Sequence, residues 1–193
     1  MILMMMILPA THTFQPLALE AHRSTHFTAI DFLNARHLAL KDLVPRSFAS
    51  AGVPVTKEPT GLLRTDGKRP DGVSLVPWQS GKSICWDITV ACPLVVIHWK
   101  SISRGTDAAA EMATSWQEDK YVDLGARYIF EPIAVEIFGI FNASVRHLLA
   151  DLGRRISVNT GEARETSYLF QRISVLVQRL NAVLLHNSLP AAA

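Results

Sequence analysis

Two aspartates in the segment RPDGVSLVPWQSGKSICWDITV, Asp71 and Asp87, are the residues whose type and spacing best suit chemistry. Asp71 follows a proline just ahead of one extended run, and Asp87 sits on the run that returns from it. Between them, Gln79-Ser80-Gly81-Lys82 reads as a hairpin turn. With a three-residue loop centred on Ser80, Asp87 stands opposite Val73, two positions from Asp71. Strand rise is about 3.3 Å and paired Cα atoms lie roughly 5 Å apart, so the two carboxylates then come close enough to share one ion. A two-residue loop flips the parity and parts the side chains; the sequence leaves both loops open. A hard divalent cation held by such a pair polarises a phosphate and lowers the pKa of an attacking water. Magnesium needs only a few carboxylates, completing its shell with waters, a carbonyl and phosphate oxygens. The plainer alternative makes Asp71 a turn residue and Asp87 a satisfied polar group at a strand end.

A positive group beside the acids would position the water or stabilise developing charge. Lys120 is the candidate: it continues the stripe Ala109, Met112, Ala113 and Trp116 of a helix and lies seven residues after Ala113, nearly beneath it. The competing account is a lysine that snorkels at a helix end. Lys68 and Arg69, beside Asp71, suit either a phosphate or a solvated turn. Arg172 and Arg179, each preceded by glutamine, share one helix flank, where arginine contacts phosphates or edges an apolar seam. Glu58 is either a third acid or an exposed strand charge. Trp78, Trp86 and Trp116 are assigned to the core.

These side chains need a scaffold. Asn34 is a candidate cap for a helix carrying Leu38, Leu40, Leu43 and Val44, with a kink at Pro45 and a turn ending at Gly52. The period then changes to two. Runs at 53–58, 69–78 and 83–91 read as strands; in the third, Ile84, Trp86, Ile88 and Val90 face one way, and Cys85, Asp87 and Thr89 the other. A helix capped by Thr106 or Asp107 follows, then a strand at 128–139 that Pro132 pushes to an edge or a bulge. Helices at 142–156, with Arg154 and Arg155 in its last turn, and 161–186 close the chain. The buried side of the final helix is expected at Leu169, Ile173, Leu176, Leu180, Val183 and Leu184. The expected class is α/β (α+β), in the order helix–β–β–β–helix–β, followed by two C-terminal helices.

The bulk figures agree with one domain. At 193 residues, 49% apolar and 19% charged, the chain has enough apolar surface for a core, so disorder is not expected. A formal net charge of +2 means that any phosphate-binding surface is local. Residues 1–8 are apolar but too short to span a bilayer and lack a basic flank, so no membrane partner is expected. Residues 1–33 show no clean period and are expected to be poorly ordered, 34–189 to form the domain, and 190–193 a tail. Cys85 and Cys92, the only cysteines, read as buried thiols of an intracellular protein, and they are too few for a cysteine-rich zinc site.

Longer strings carry a resemblance. KEPTGLLRTDGKRPDG, the PW…WD.T hairpin, AAAEMA…DKYVDL and ETSYLFQRISVLVQRLNA resemble the C-terminal domains of animal non-LTR retrotransposon and reverse transcriptase-like proteins, over about residues 36–189. Such domains are similar to restriction-like endonucleases with the PD-(D/E)xK core. The resemblance implies a metal-dependent DNA endonuclease domain that nicks target DNA, or a catalytically inactive nucleic-acid-binding remnant of the polyprotein. It matches Pro70-Asp71 to the PD element and Asp87 to the second acid. Thr89 stands where the motif lysine belongs, and Lys120 fits a lysine moved onto the following helix. Magnesium or manganese is the implied cofactor, with no small-molecule cofactor. DNA is the implied partner, with the element's RNA as a further one, in the nucleus or cytoplasm. Related domains usually carry a Cys/His zinc knuckle upstream; here His22, His26 and His37 stand without cysteine, so zinc is not expected.

Overall fold

The two-faced strand expected at 83–91 is the axis of the fold. It is β3, Ile84–Ala91, in a computed structural model that describes residues 29–63, 67–91, 108–136, 139 and 141–188. Before it come α1 (Ala29–Ser50), β1 (Val55–Lys57) and β2 (Gly72–Ser74). After it come α2 (Ala108–Lys120), β4 (Ile129–Glu136), α3 (Ala143–Thr160) and α4 (Glu165–Ser188). The order of elements is the expected one, and the class is mixed α/β.

The four strands form one sheet in the order β1-β2-β3-β4. The first three are antiparallel, with Val55 opposite Ser74 and Gly72 opposite Trp86. β4 runs parallel to β3, Asp87 opposite Pro132, after the crossover that contains α2. Pro132 lacks an N–H, and β4 takes an outer position in the sheet, where that loss is tolerated.

One face of β3, through Ile84, Trp86, Ile88 and Val90, packs on Leu40, Val44 and Phe48 of α1. Leu148, Leu152 and Ile156 of α3 and Leu169, Ile173 and Val177 of α4 complete that core. Phe48 stacks on Trp86 at 4.5 Å between centroids. The other face is covered by α2 through small side chains, Ala110 and Ala113 against Ala91 and Ala134. Alanine contacts let the helix axis approach closely, and this brings the polar side of α2 onto β3.

Several sequence expectations shift. α1 begins at Ala29, ahead of Asn34, and stays helical through Pro45 to Ser50, although the proline removes the usual donor to the Lys41 carbonyl. Gly52 then turns at φ 71. Leu38 and Val183 are exposed rather than buried, and so is Trp116, at 41%. The inward stripe of α2 is Ala110, Ala113, Thr114 and Gln117, rotated from the apolar stripe because the facing strand offers polar partners as well as alanines. α3 runs past Arg154 and Arg155 until Gly161 closes it at φ 77, so neither arginine is in its last turn. Arg155 instead lies over the Trp78 ring at 3.6 Å and donates to the Trp78 carbonyl, fastening the hairpin to α3. Residues 1–28, Cys92, Thr106, Asp107 and the tail 190–193 lie outside the described residues, as do the side chains of Ala109 and Leu184.

α3 is anchored at its start by Asn142, whose side chain accepts the Val145 N–H at 3.1 Å and donates to Thr114 Oγ1 of α2 at 2.7 Å. Both bonds are buried. The Asn142→Ala protein is expected to lose about 2 kcal/mol in urea denaturation, the sum of a lost cap and an abandoned interhelical bond. A loss under about 0.5 kcal/mol would show that water replaces both bonds.

Candidate functional site

Asp71 immediately precedes β2 and leaves the regular ladder. Its N–H donates to the Trp86 carbonyl at 2.9 Å, and its Oδ2 accepts the Ile88 N–H at 2.7 Å. Asp71 therefore binds the residues on either side of Asp87. The antiparallel pairing of β2 with β3 sets Asp71 beside the stretch of β3 that carries Asp87, and the charge of one carboxylate acts on the other.

The route to that parity is not the expected one. Gln79 bridges Lys82 around Ser80 and Gly81, both at positive φ (50 and 74), a two-residue turn of the type that suits hairpin twist. Continued from that turn, the register would pair Cys85 with Val76. Cys85 pairs with Val73 instead, three residues earlier. The surplus is absorbed between Ser74 and Trp78, where Ser74 Oγ accepts the Ile84 N–H and donates to the Val76 carbonyl. An odd shift restores the parity that the short turn would have broken.

Asp87 is gripped from α2 and the residue after it. Lys120 Nζ is 3.1 Å from Oδ2, Gln117 Nε2 is 3.2 Å from the same oxygen, and the Tyr121 hydroxyl donates to Oδ1 at 3.3 Å. Gln117 Nε2 also lies 3.0 Å from the Asp87 carbonyl and 2.7 Å from Thr89 Oγ1. Asp71 is gripped from α1: Lys41 Nζ is 2.8 Å from Oδ1, and His37 Nε2 is 3.5 Å from Oδ2. Lys41 also reaches Glu58 Oε1 at 2.7 Å, and Arg69 pairs with Glu58 Oε2.

The two buried carboxylates respond in opposite directions. Burial alone would raise Asp71, but bonds from His37, Lys41 and the Ile88 N–H outweigh it and hold the carboxyl below its usual range. Burial raises Asp87, the Asp71 charge raises it further, and Lys120 and Gln117 offset only part. Cys85, two residues before Asp87 on β3, is pushed up to about 12 by burial and then by the charges of Asp87 and Asp71. It is an inert thiol rather than a nucleophile.

The repulsion that Asp71 exerts on Asp87 is what a hard cation would relieve. Among the described residues no group of three or more His, Cys, Asp or Glu side chains is placed to hold a metal. The donors that this part of the fold offers a cation are the carboxylates of Asp71 and Asp87, a set that would suit a hard cation keeping most of its waters.

Not all the sequence candidates gather here. Lys68 and Arg69 stand at the Asp71 end, with Arg69 committed to Glu58. Arg172 is paired with Glu165 along α4, and Arg179 is exposed on the same helix, whose packing partners are α1 and α3. Lys41 and Gln117 were not singled out in the sequence, and His37 only as part of a zinc pattern. Their signal was a polar residue interrupting or bordering a buried stripe: Lys41 beside Leu40 and Val44, Gln117 four after Ala113. Among the described residues no helix is long and apolar enough to cross a membrane. No protein-family model and no curated protein matches the chain.

Proposed function

We propose that this chain is a restriction-endonuclease-like domain that cleaves DNA phosphodiesters with a divalent cation held by Asp71 and Asp87. The observation that carries the reading is convergence: Lys120 at the end of α2 pairs with Asp87 of β3, and Asp71, ahead of β2, accepts the N–H of the next residue, Ile88, near enough for its charge to act on Asp87. Bound magnesium or manganese would supply phosphate polarisation and an activated water. The chain's own groups do the positioning. The Ile88 N–H and His37 orient the Asp71 carboxylate, while Gln117 and Tyr121 orient that of Asp87. Lys120, its side chain 21% exposed, can turn its ammonium toward a phosphate oxygen without leaving Asp87. The PD-(D/E)xK identity of the core rests on the sequence resemblance together with this order of elements.

A specific observation favours a second reading, an inactive nucleic-acid-binding remnant: each acid already has a lysine, Lys41 on Asp71 and Lys120 on Asp87. Supercoiled plasmid incubated with the protein and magnesium or manganese separates the two. The active reading expects nicking that falls at least about 100-fold in the Asp71→Ala protein, a loss typical for removal of a group that organises charge at the reacting centre. Equal nicking by both proteins would assign the activity to a contaminant. No nicking, with salt-dependent DNA binding retained, would select the remnant.

A further inference from the structure

We propose that Lys41 is a built-in competitor for the cation at Asp71, with Glu58 as the second seat to which its ammonium withdraws when the cation binds. The proposal rests on the cation reading of Asp71 and Asp87. Lys41 Nζ stands 2.8 Å from Asp71 Oδ1 and 2.7 Å from Glu58 Oε1, so it bridges two carboxylates as a small cation would. An ammonium has three donors and a flexible stem, and this side chain is 20% exposed, so it can give up one acid and keep the other.

Glu58 is held in place for that part. Its N–H donates to the Asp71 carbonyl at 2.9 Å, tying it to the segment that carries the acid. Its backbone is at φ 46, a left-handed conformation that a glutamate adopts only when its surroundings enforce it. Arg69 fixes its other oxygen. Lys120 is placed differently, against Asp87 and over the Tyr121 ring at 4.3 Å. The two lysines therefore divide the work: Lys120 accompanies Asp87, and Lys41 occupies Asp71 until it is displaced.

The test uses metal-free protein without DNA, titrated with manganese or magnesium by calorimetry, with the metal-induced rise in Tm as a second readout. The Lys41→Met protein is expected to bind the cation about tenfold more tightly or better, because a charge-assisted bond no longer has to be broken. Lys57→Gln is the control for charge alone: Lys57 pairs with Asp42 at 3.3 Å on the exposed side, and its loss should change affinity less than about twofold. Should Lys41→Met fail to fold, Lys41→Gln keeps a polar partner for both acids and should shift affinity the same way. Binding by Lys41→Met but not by the wild type would support the proposal most strongly. Wild-type binding with no tightening in either Lys41 variant, or equal tightening in Lys57→Gln, would overturn it and leave the cation site standing. No binding by any variant would remove the cation reading, and Lys41 competition with it.

Discussion

The Gly72→Ala protein is expected to lose about 3 kcal/mol of stability, at the upper end of what overpacking a core costs. A Cβ at position 72 would lie 2.2 Å from Cζ2 of Trp86 and 2.5 Å from its Cε2. The indole has nowhere to go: it is fully buried and stacked on Phe48 with an interplanar angle of 10°. Nor can the backbone retreat, because Gly72 is paired on both sides, with Lys57 and with Trp86. For a chain of this size, Tm should fall by roughly 6–12 °C. Gly125→Ala, whose Cβ would meet nothing within 4 Å, should stay within about 0.5 kcal/mol. Trp86→Phe should recover part of the loss when combined with Gly72→Ala, since the two positions share one contact. A Gly72→Ala protein as stable as the wild type would mean that β2 does not lie on Trp86, and the placement of Asp71 would fall with it.

Opposite effects are expected from the two acids in metal-free buffer. Asp71→Asn should destabilise by about 2–3 kcal/mol at neutral pH, because it removes the charge that Lys41 and His37 face in a buried setting. Asp87→Asn should be neutral or stabilising by about 1 kcal/mol, because that carboxylate is disfavoured by burial and by Asp71 itself. Their pH profiles separate the causes. Asp71 has a depressed folded pKa, so its contribution is fully present above the unfolded carboxylate value and is lost as pH falls through the folded one. The Asp71→Asn deficit should therefore shrink in acid. Asp87 has a raised folded pKa, so ionising it costs stability as pH rises toward and through that value. Any gain from Asp87→Asn should appear at neutral pH and vanish in acid. Urea denaturation at several pH values reads both; two parallel deficits would show that the acids share one environment.

Much of the scaffold was legible because it depends on local pattern. The alternation through Ile84, Trp86, Ile88 and Val90 sorted β3 into a core face and a polar face, as observed. Pro132 marked the outer strand, and the hairpin around Ser80-Gly81 was visible from turn chemistry. Apolar pattern misled where a side chain's fate depends on what covers it. Trp116 and Val183 carry ample apolar surface, yet among the described residues no element packs over them enough to bury them, while Gln117 is 1% exposed with its Nε2 bound to Asp87 and Thr89. A hydrophobicity pattern cannot see a buried polar residue whose partners lie on another element.

The sequence by itself determined which acids stand on either side of a hairpin, that a lysine ends the following helix, and the order of helices and strands. These follow from residue type and short-range period. Only the tertiary structure decided the register that sets Asp71 beside the stretch of β3 carrying Asp87, since the two-residue turn continued alone would pair Cys85 with Val76 and the three-residue shift between Ser74 and Trp78 pairs it with Val73. It alone decided that the alanine contact of α2 brings Gln117 and Lys120 onto Asp87, and that α1 lays Lys41 and His37 on Asp71. Register and helix placement are set by how surfaces distant in sequence fill space against each other, and no local spacing encodes them.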